Sequence, residues 1–366
     1  MKILISTNSY WNLFNFRYDL LSKLKNQNHK LIIVSSKDKY FNKFKNIKCK
    51  HYYVNMKANK ISIVNDIFLI FNYFKIFLKE KPDVYFSFTI KPNIYGSFIA
   101  NLLGIKTVNN ITGLGKTFLS NNILKSIVIF LYKISLRKSF KVFFHNNDDL
   151  SLFLKLNIIK NIQGEVIPGS GININQYEYS KLFNRDNKEL IFLYIGRIRF
   201  DKGFVNLIEA FKLIKKDYDT IKLQVIGKIE KKNPDYIDYD LFQSWQDQKI
   251  IEYFGETDDI KKYIKNSDCV ILLSFREGLS RSLLEASIMG RPIITTNVPG
   301  CKETIIDGVS GLLCKEKNTK DAFDKIIKFI ELNYSERNKM GYEGHLYTKK
   351  YFNNLIIIKK YLNIIK

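Results

Sequence analysis

Residues 190–203 read LIFLYIGRIRFDKG, and this stretch decides the fold. Its first six residues form an uninterrupted apolar run, which is typical of a parallel strand buried on both faces. A glycine and a basic loop then end the strand. Because open α/β sheets bind ligands beyond the carboxyl ends of their strands, we expect Arg197 and Lys202 to project into a cleft.

Similar runs recur along both halves of the chain and alternate with helix-length segments. They cover residues 2–6, 30–35, 83–87, 107–111, 141–145 and 165–167, and then 190–195, 222–226, 250–254, 269–273 and 292–295. This alternation predicts doubly wound α/β sheets. We expect two Rossmann-like lobes, residues 1–172 and 173–350, with a hinge in the sequence IPGSGI at 167–172. Residues 351–366 form a helix-length run that could pack on either lobe.

The composition is that of a globular protein that meets an anion. Hydrophobic residues make up 46% of the chain and charged residues 26%, which excludes a disordered protein. The net charge of +24 suits nucleic acid, anionic lipid or a phosphorylated substrate, although a biased codon supply could account for part of it. Four widely spaced cysteines favour a reducing cytoplasm over a metal site. The apolar run at residues 3–5 is too short for a signal-peptide core.

Residues 274–287, SFREGLSRSLLEAS, place two glutamates around the start of a helix. Gly278 breaks the chain before the helical pattern begins, so Glu277 lies on a loop and Glu285 lies within the helix. The loop lets Glu277 point at a donor sugar, whereas Glu285 faces a ribose. The backbone N–H groups from Ser282 to Leu284 are free at the helix start and suit a diphosphate.

The basic loop at residues 196–203 supplies complementary charges. A pyrophosphate leaving group must be neutralised as a glycosidic bond breaks, and the guanidinium of Arg197 with the ammonium of Lys202 can do this without a metal. Taken alone, the loop could be a solvated surface turn, and the two glutamates could belong to an ordinary capped helix. Their joint occurrence favours a nucleotide-sugar site.

At these motifs the chain resembles glycosyltransferase family 4, and within it the subgroup of capsular and lipid-linked oligosaccharide transferases. The resemblance spans nearly the whole chain. It rests on GRIRFDKG at 196–203, FGETDDI at 254–260, REGLSRSLLEA at 276–286, GRPIITT at 290–296, PGCKETIIDGVSGLL at 299–313, TIKPNIYGS at 89–97 and NITGLGKTF at 110–118. It implies the GT-B fold, in which two Rossmann-like, doubly wound parallel-sheet lobes face each other across a cleft.

The resemblance also implies a division of roles, with the acceptor on the N-terminal lobe and the nucleotide sugar on the C-terminal lobe. Arg197 and Lys202 would hold the donor diphosphate, Glu277 the sugar hydroxyls and Glu285 the ribose, while residues 255–257 would border the nucleobase. We expect catalysis to rest on Glu277, Arg197 and Lys202. We expect donor binding to involve Gly196, Arg197, Lys202, Gly255, Glu277, Gly278, Leu279, Ser280, Ser282, Leu283, Leu284 and Glu285.

The acceptor side follows the family pattern less closely. Many members carry a glycine-rich turn after the first strand and a histidine near the reacting carbon, but residues 6–12 lack glycine and the TGLG region lacks histidine. Among the four histidines, His145 is the best candidate because it ends a predicted strand. We assign the acceptor side to Asn15, Arg17, Lys91, Thr112, Gly113 and His145.

The family resemblance further implies retention of the anomeric configuration. A front-face substitution needs no enzymic base, because the departing phosphate oxygen can take the acceptor proton. We expect no metal and no cofactor, with a UDP-linked hexose or N-acetylhexosamine as co-substrate. The positive charge favours a polyprenyl-diphosphate-linked saccharide as acceptor, in the assembly of a bacterial surface polysaccharide or glycan such as capsule or O-antigen.

Two segments are candidates for a membrane face. They are IVNDIFLIFNYFKIFLKEK at 63–81 and ILKSIVIFLYKISLRKSFK at 123–141, and both are rich in aromatics and end in basic residues. Neither has an apolar run long enough to span a bilayer. Either could instead be a buried helix of a Rossmann-like lobe. We expect a peripheral enzyme on the anionic cytoplasmic face of the bacterial inner membrane.

Three other functions compete with this interpretation. A metal-dependent GT-A transferase is suggested by Asp238-Tyr-Asp240, but this D-x-D pattern lies in a polar stretch that we predict to be a solvated loop. A basic nucleic-acid-binding protein is suggested by charge alone, without a recognition motif. A dinucleotide-dependent dehydrogenase would require a G-x-G-x-x-G after a first strand, and neither predicted lobe has one.

Overall fold

The chain forms two compact α/β units in a computed structural model that describes residues 1–45, 47–56, 62–114, 118, 123–185, 189–230 and 235–365. The first unit comprises Met1–Gly171 together with Asn354–Lys366. The second comprises Ile172–Asn353. The chain therefore leaves the first unit once and returns to it at its end.

A seven-stranded sheet forms the centre of the first unit, and all of its described ladders are parallel. The strand order is β3-β2-β1-β4-β5-β6-β7. Because the order reverses direction between β1 and β4, the sheet has a topological switch point at that pair. The strands are β1 Lys2–Ser6, β2 Lys30–Ser35, β3 Lys50–Tyr53, β4 Val84–Phe88, β5 Lys106–Ile111, β6 Lys141–Phe144 and β7 Gly164–Val166.

Helices cover both faces of this sheet. They are α1 Tyr10–Asn26, α2 Ile63–Glu80, α3 Ser97–Leu102, α4 Ile123–Leu136 and α5 Asn147–Lys155. Alternate residues of β1 enter different clusters: Ile3 and Ile5 pack with α1, whereas Leu4 packs with α2 and α3. The nearly continuous apolar strands follow from this two-sided burial.

The second unit repeats the pattern with a six-stranded sheet of order β10-β9-β8-β11-β12-β13, and its described ladders are also parallel. Its switch point lies between β8 and β11. The strands are β8 Ile191–Ile195, β9 Lys222–Ile226, β10 Glu252–Tyr253, β11 Cys269–Leu272, β12 Ile293–Thr296 and β13 Gly311–Cys314. The helices are α6 Phe204–Asp217, α7 Tyr239–Asp247, α8 Lys261–Asn266, α9 Arg281–Ile288, α10 Thr319–Glu331 and α11 Tyr334–Tyr351.

The last helix, α12 Asn354–Ile364, packs on the first unit. The ring of Tyr361 meets Phe86 and Phe143 edge to face, with both centroid separations at 5.2 Å. The Tyr361 hydroxyl donates a hydrogen bond to Asn110 Oδ1. Lys360 pairs with Glu165 at 2.5 Å. The helix thus completes the core on the α1 face of the sheet.

The predicted strands are all present, with ends that differ by up to two residues. Two further strands, β3 and β13, were not predicted from the sequence. Both lie at sheet edges, where a strand pairs on one side only. The sequence of β3, KHYY, has no apolar run, and the apolar run of β13, GLLC, is only four residues long. The two aromatic segments form α2 and α4. Within the described ranges, no helix has both the length and the apolarity needed to cross a membrane.

We expect Tyr361→Ala to lower the free energy of unfolding by about 3–5 kcal/mol, because it removes a fully buried ring that contacts both β4 and β6. Urea unfolding followed by circular dichroism measures this change. Ile356→Ala, on an exposed part of the same helix, serves as the matched control and should change stability by less than about 1 kcal/mol. Equal midpoints for the two variants would contradict the packing of α12.

Candidate active site

The loop after β8 is held in place by a hydrogen bond from the Tyr194 side chain and by a close contact with the end of the neighbouring strand. The Tyr194 hydroxyl donates to the Arg197 carbonyl at 2.7 Å. A short 3-10 helix at Phe200–Lys202 then leads into Gly203, whose φ of +65° lies in the left-handed region. A Cβ on Gly203 would lie 1.9 Å from the Leu273 carbonyl oxygen. Glycine is therefore required where this loop passes the end of β11.

Two arginines of this loop have different environments. Arg197 is half exposed, and its guanidinium lies 3.8 Å from Glu230. Arg199 is buried and forms a two-pronged ion pair with Asp201, at 2.5 and 2.8 Å, while Glu230 lies 3.3 Å away. Arg199 thus fixes the loop internally, and Arg197 is the guanidinium that remains accessible to a ligand. The sequence had indicated only Arg197.

Lys202 and Glu277 form an ion pair in which Nζ lies 2.5 Å from Oε1. Both side chains are mostly buried. Lys202 follows β8 and Glu277 follows β11, so the pair lies at the switch point of the second sheet. A further bond joins the two loops, since the Phe275 N–H donates to the Asp201 carbonyl at 3.0 Å. The structure therefore brings together two residues that the sequence placed 75 positions apart.

Gly300 supports the Glu277 loop from behind. The Glu277 N–H donates to the Pro299 carbonyl at 2.9 Å, and the Ser280 N–H donates to the Gly300 carbonyl at 2.8 Å. With φ at +81°, Gly300 lies so close that an added Cβ would be 2.4 Å from the Glu277 carbonyl oxygen. The turn after β12 thereby sets the backbone position of Glu277. The sequence PGCKE is part of a family motif, but the motif alone did not indicate a role for this glycine.

Helix α9 begins at Arg281, directly after the Glu277 loop, as the sequence had predicted. Its N-cap residue, Ser280, forms no side-chain capping hydrogen bond, and no acidic residue lies in the first turn. The positive end of the helix is thus available to an anion. The Leu283 and Leu284 side chains are buried in the core, so only their backbone could reach a ligand. Leu279 also packs against that core, while Ser280 and Ser282 hydroxyls lie 3.3 Å apart.

Glu285 lies one turn into α9 and accepts two hydrogen bonds on the same oxygen. The Tyr177 hydroxyl and the Arg281 Nε each lie 2.8 Å from Oε1. Burial and the Glu285 carboxylate raise the pKa of the Tyr177 hydroxyl, so this group stays protonated. Neither Tyr177 nor Arg281 was identified from the sequence. Tyr177 lies in a polar stretch without a motif, and Arg281 reads as a surface residue of a helix.

Three glycines line the carboxyl ends of neighbouring strands. Gly227, with φ at +151°, follows β9, and a Cβ there would lie 1.7 Å from the Gly196 carbonyl oxygen. The Gly227 N–H donates to the Gly255 carbonyl at 2.9 Å. Gly255 itself has φ at +71° and open space around the Cβ position. The loops after β8, β9 and β10 are therefore packed backbone against backbone. Gly255 ends this row and has open space beside it.

The six residues assigned to the acceptor side all lie in the first unit, and only some of them come together. Arg17 on α1 stacks over the Phe88 ring at 4.3 Å. Burial, followed by the nearby Arg17 charge, lowers the pKa of His145 to about 3, so its imidazole is neutral at physiological pH. Thr112 and Gly113 directly follow β5, next to β6, which His145 follows.

The other two acceptor-side residues have separate contacts. Lys91 pairs with Asp66 of α2 at 2.7 Å, and the Tyr95 hydroxyl donates to the same carboxylate at 3.0 Å. A π-helical turn at Pro92–Gly96 separates Lys91 from α3. Such turns often occur at functional sites. Asn15 donates to the Trp11 carbonyl within α1 at 2.9 Å.

Comparison with known families decides between the remaining interpretations. The family model for glycosyl transferases group 1 matches residues 175–346, and the model for glycosyl transferase 4-like domains matches residues 2–146. The chain belongs to glycosyltransferase family 4. Between them the two matches include the whole of the Lys202–Glu277 region and most of the first unit.

Individual relatives agree with this assignment. The chain is 24% identical to N,N'-diacetylbacillosaminyl-diphospho-undecaprenol alpha-1,3-N-acetylgalactosaminyltransferase of Campylobacter jejuni, with 100% of both chains covered. It is 28% identical to the capsular polysaccharide biosynthesis glycosyltransferase CapM of Staphylococcus aureus, over 91% of this chain and 89% of that one. The HepE structure of Anabaena, in complex with UDP and glucose, superposes with a TM-score of 0.80 at 15% identity, covering 100% and 99%. The fold is GT-B.

Two competing hypotheses are resolved at this point. A nucleic-acid-binding function has no support, since the matched families and these relatives are glycosyltransferases. The D-x-D pattern lies at the start of a helix, whereas the sequence had predicted a solvated loop. Asp238 is the N-cap of α7, and its carboxylate accepts from the N–H groups of Asp240 and Leu241 at 3.0 and 3.2 Å. Aspartate is a preferred residue at this position for that reason.

Gly300→Ala should lower kcat/KM for glycosyl transfer by about 100-fold, because the added methyl group displaces the Glu277 backbone. Gly308→Ala is the matched control: its φ of +73° imposes similar backbone strain, but the added Cβ meets nothing within 4 Å. Donor hydrolysis and thermal melting should be measured for both variants. An equal effect of the two substitutions on catalysis would show that Gly300 does not position Glu277.

Proposed function

We propose that this enzyme is a retaining, metal-independent glycosyltransferase that moves a hexose or N-acetylhexosamine from a UDP-sugar to a polyprenyl-diphosphate-linked saccharide. The reaction would serve bacterial surface polysaccharide or glycan assembly. The observation that carries this proposal is the Lys202–Glu277 pair beside the uncapped start of α9. The activities for which the Campylobacter and Staphylococcus relatives are named, and the UDP bound to HepE, support the choice of donor and acceptor.

The donor diphosphate would bind at the start of α9 together with Arg197 and Lys202. Backbone N–H groups, a guanidinium and an ammonium can stabilise the charge that develops on the leaving phosphate. In the free enzyme Lys202 is neutralised by Glu277. A bound diphosphate would compete for Lys202 and leave the Glu277 carboxylate to accept hydrogen bonds from the sugar hydroxyls. Donor binding would therefore activate the sugar-recognising group.

Transfer would then follow the front-face route. The acceptor hydroxyl forms the new bond to the anomeric carbon on the side that the diphosphate leaves, and its proton passes to the departing phosphate oxygen. This sequence needs neither an enzymic base nor a metal ion. The acceptor would be recognised by residues of the first unit, with Arg17, Lys91 and the neutral His145 as candidates for its polar groups.

We propose that α2, α3 and α4 form a membrane-binding face. Exposed apolar residues recur at helical spacing on α2 and α4, and α3 packs between these helices and adds two more. The exposed residues are Ile63, Val64, Ile67, Phe68 and Phe71 on α2, Phe98 and Leu102 on α3, and Ile123, Ile127, Phe130 and Ile134 on α4. Exposed apolar side chains that recur on three neighbouring helices are typical of an interaction site.

Basic residues flank this membrane-binding face. Lys75 and Lys79 are exposed on α2, and Lys133 is exposed on α4, with Arg137 and Lys138 directly after it. Apolar side chains bordered by lysine and arginine suit an anionic bilayer surface, where each nearby positive charge contributes about 1 kcal/mol. The enzyme would therefore work as a peripheral protein on the cytoplasmic face of the inner membrane, where a polyprenyl-linked acceptor is anchored.

We expect Lys202→Ala and Glu277→Ala to reduce transfer by at least about 100-fold, because the first removes a cation from the leaving-group site and the second removes the carboxylate that would bind the sugar hydroxyls. Hydrolysis of a panel of UDP-, GDP- and ADP-sugars identifies the donor and provides the assay. Lys212→Ala removes a lysine from an exposed Lys–Glu pair on α6 and should leave turnover unchanged. Near-normal activity of either site variant would refute the assignment.

Full activity in a chelator would support metal independence, and its loss would refute it.

The membrane proposal is tested by sedimentation with phosphatidylglycerol-rich vesicles and with pure phosphatidylcholine vesicles. We expect binding to the anionic vesicles that weakens at high salt. The triple variant Ile67→Ser, Phe68→Ser, Phe130→Ser should lose this binding, because it places hydroxyl groups on the apolar face. Leu213→Ser with Leu241→Ser, at exposed positions of the second unit, is the control. Binding that survives the triple variant would place the contact elsewhere.

A further inference from the structure

We infer that Tyr177 and Arg281 are positioning residues for Glu285, which hold one oxygen of its carboxylate so that the other accepts the hydroxyl groups of a ribose. This arrangement would give the enzyme its preference for a ribonucleotide over a deoxyribonucleotide donor. The inference rests on the proposed function and on the role that the family resemblance implies for Glu285, which is to bind the ribose of the UDP-sugar.

The hydrogen bonds to the Glu285 carboxylate are distributed unequally between its two oxygens. Oε1 accepts from the Tyr177 hydroxyl and from Arg281 Nε, each at 2.8 Å. Among the residues that the structure describes, no hydrogen bond reaches Oε2. A carboxylate can accept about four hydrogen bonds, two on each oxygen. Oε1 is therefore saturated, and the full accepting capacity of Oε2 is left for a ligand.

The two donors constrain Glu285 from different directions. Arg281 lies one helical turn before Glu285 on α9, so their bond fixes the side chain along the helix. Tyr177 comes from a segment 108 residues earlier, after the 3-10 turn Ile174–Gln176, and packs against the core of the second unit. A glutamate held at one oxygen by two separate elements keeps a single orientation, which lowers the entropy cost of binding a diol.

The charges around Glu285 make this arrangement compatible with a neighbouring diphosphate. The Arg281 guanidinium compensates the carboxylate charge, which would otherwise repel an anionic ligand at the start of the same helix. Tyr177 remains protonated because burial and the Glu285 carboxylate both raise its pKa. Its hydroxyl is thus a permanent donor to Oε1. The Lys261 ammonium lies 5.0 Å from the centre of the Tyr177 ring and helps to fix the ring.

Titration calorimetry with UDP, 2′-deoxy-UDP and 3′-deoxy-UDP tests the inference on the intact enzyme. Wild type should prefer UDP by about tenfold or more, the value of a hydrogen bond to a charged group. Tyr177→Phe keeps the ring and removes the hydroxyl. It should therefore weaken UDP binding and bring the ratio between the affinities for UDP and for the two deoxy-UDPs closer to one. Glu285→Gln and Arg281→Gln should shift the preference in the same direction. A structural defect alone would lower the affinities for all three nucleotides by the same factor.

Tyr334→Phe is the matched control, since it removes a phenol hydroxyl that donates to the Leu182 carbonyl at 3.1 Å in the same unit. It should keep both the UDP affinity and the preference. If Glu285→Gln loses the preference and Tyr177→Phe retains it, the inference is wrong while the proposed function stands. If wild type binds UDP, GDP and ADP not at all, the proposed function fails and the inference fails with it. If Glu285→Gln keeps the full preference for UDP over the deoxy-UDPs, then Glu285 does not bind the ribose.

Discussion

Parallel strand pairing is the constraint on which the candidate active site depends. Because neighbouring parallel strands end at the same edge of a sheet, the loops after β8 and β11 must meet where the strand order reverses. Those two loops carry Lys202 and Glu277, and their side chains form the ion pair at the centre of the site. The distance between these residues along the chain is irrelevant to the contact. The register of β8 against β11 brings them together.

Glycine determines how closely the surrounding loops can approach that edge. Gly203, Gly227 and Gly300 all have positive φ, and each lies against the backbone of a neighbouring loop without room for a side chain. These contacts fix the Lys202 loop against β11, the Gly196 turn against Gly227, and Glu277 against the turn after β12. The charged groups are consequently held by main-chain packing rather than by long, adaptable side chains. Such rigidity suits a site that stabilises developing charge.

The fold could be predicted from the sequence, and the sequence also marked the candidate site residues Lys202, Glu277 and Glu285, whose roles stay predictions. The residues that support them could not be found in this way. Buried central strands leave long apolar runs, and Lys202, Glu277 and Glu285 lie in motifs, so both features were readable. Edge strand β3, with the sequence KHYY, lacks such a run, and β13, with the sequence GLLC, is only four residues long. Tyr177 was missed because its role depends on a hydroxyl that reaches Glu285 from a distant segment. Asp238 was predicted to lie in a loop because the polar stretch around it gave no sign that a helix begins at the next residue.

The return of α12 to the first unit has a consequence for the order in which the chain folds. Tyr361 packs on Phe86 and Phe143 and bonds to Asn110, which lies 251 residues earlier. During synthesis the second unit emerges in full before that tyrosine does. The unit that is begun first is therefore completed last, once α12 has been synthesised. Until then a nascent chain exposes part of the core at β4 and β6. A stop codon before residue 354 would leave the first unit without α12.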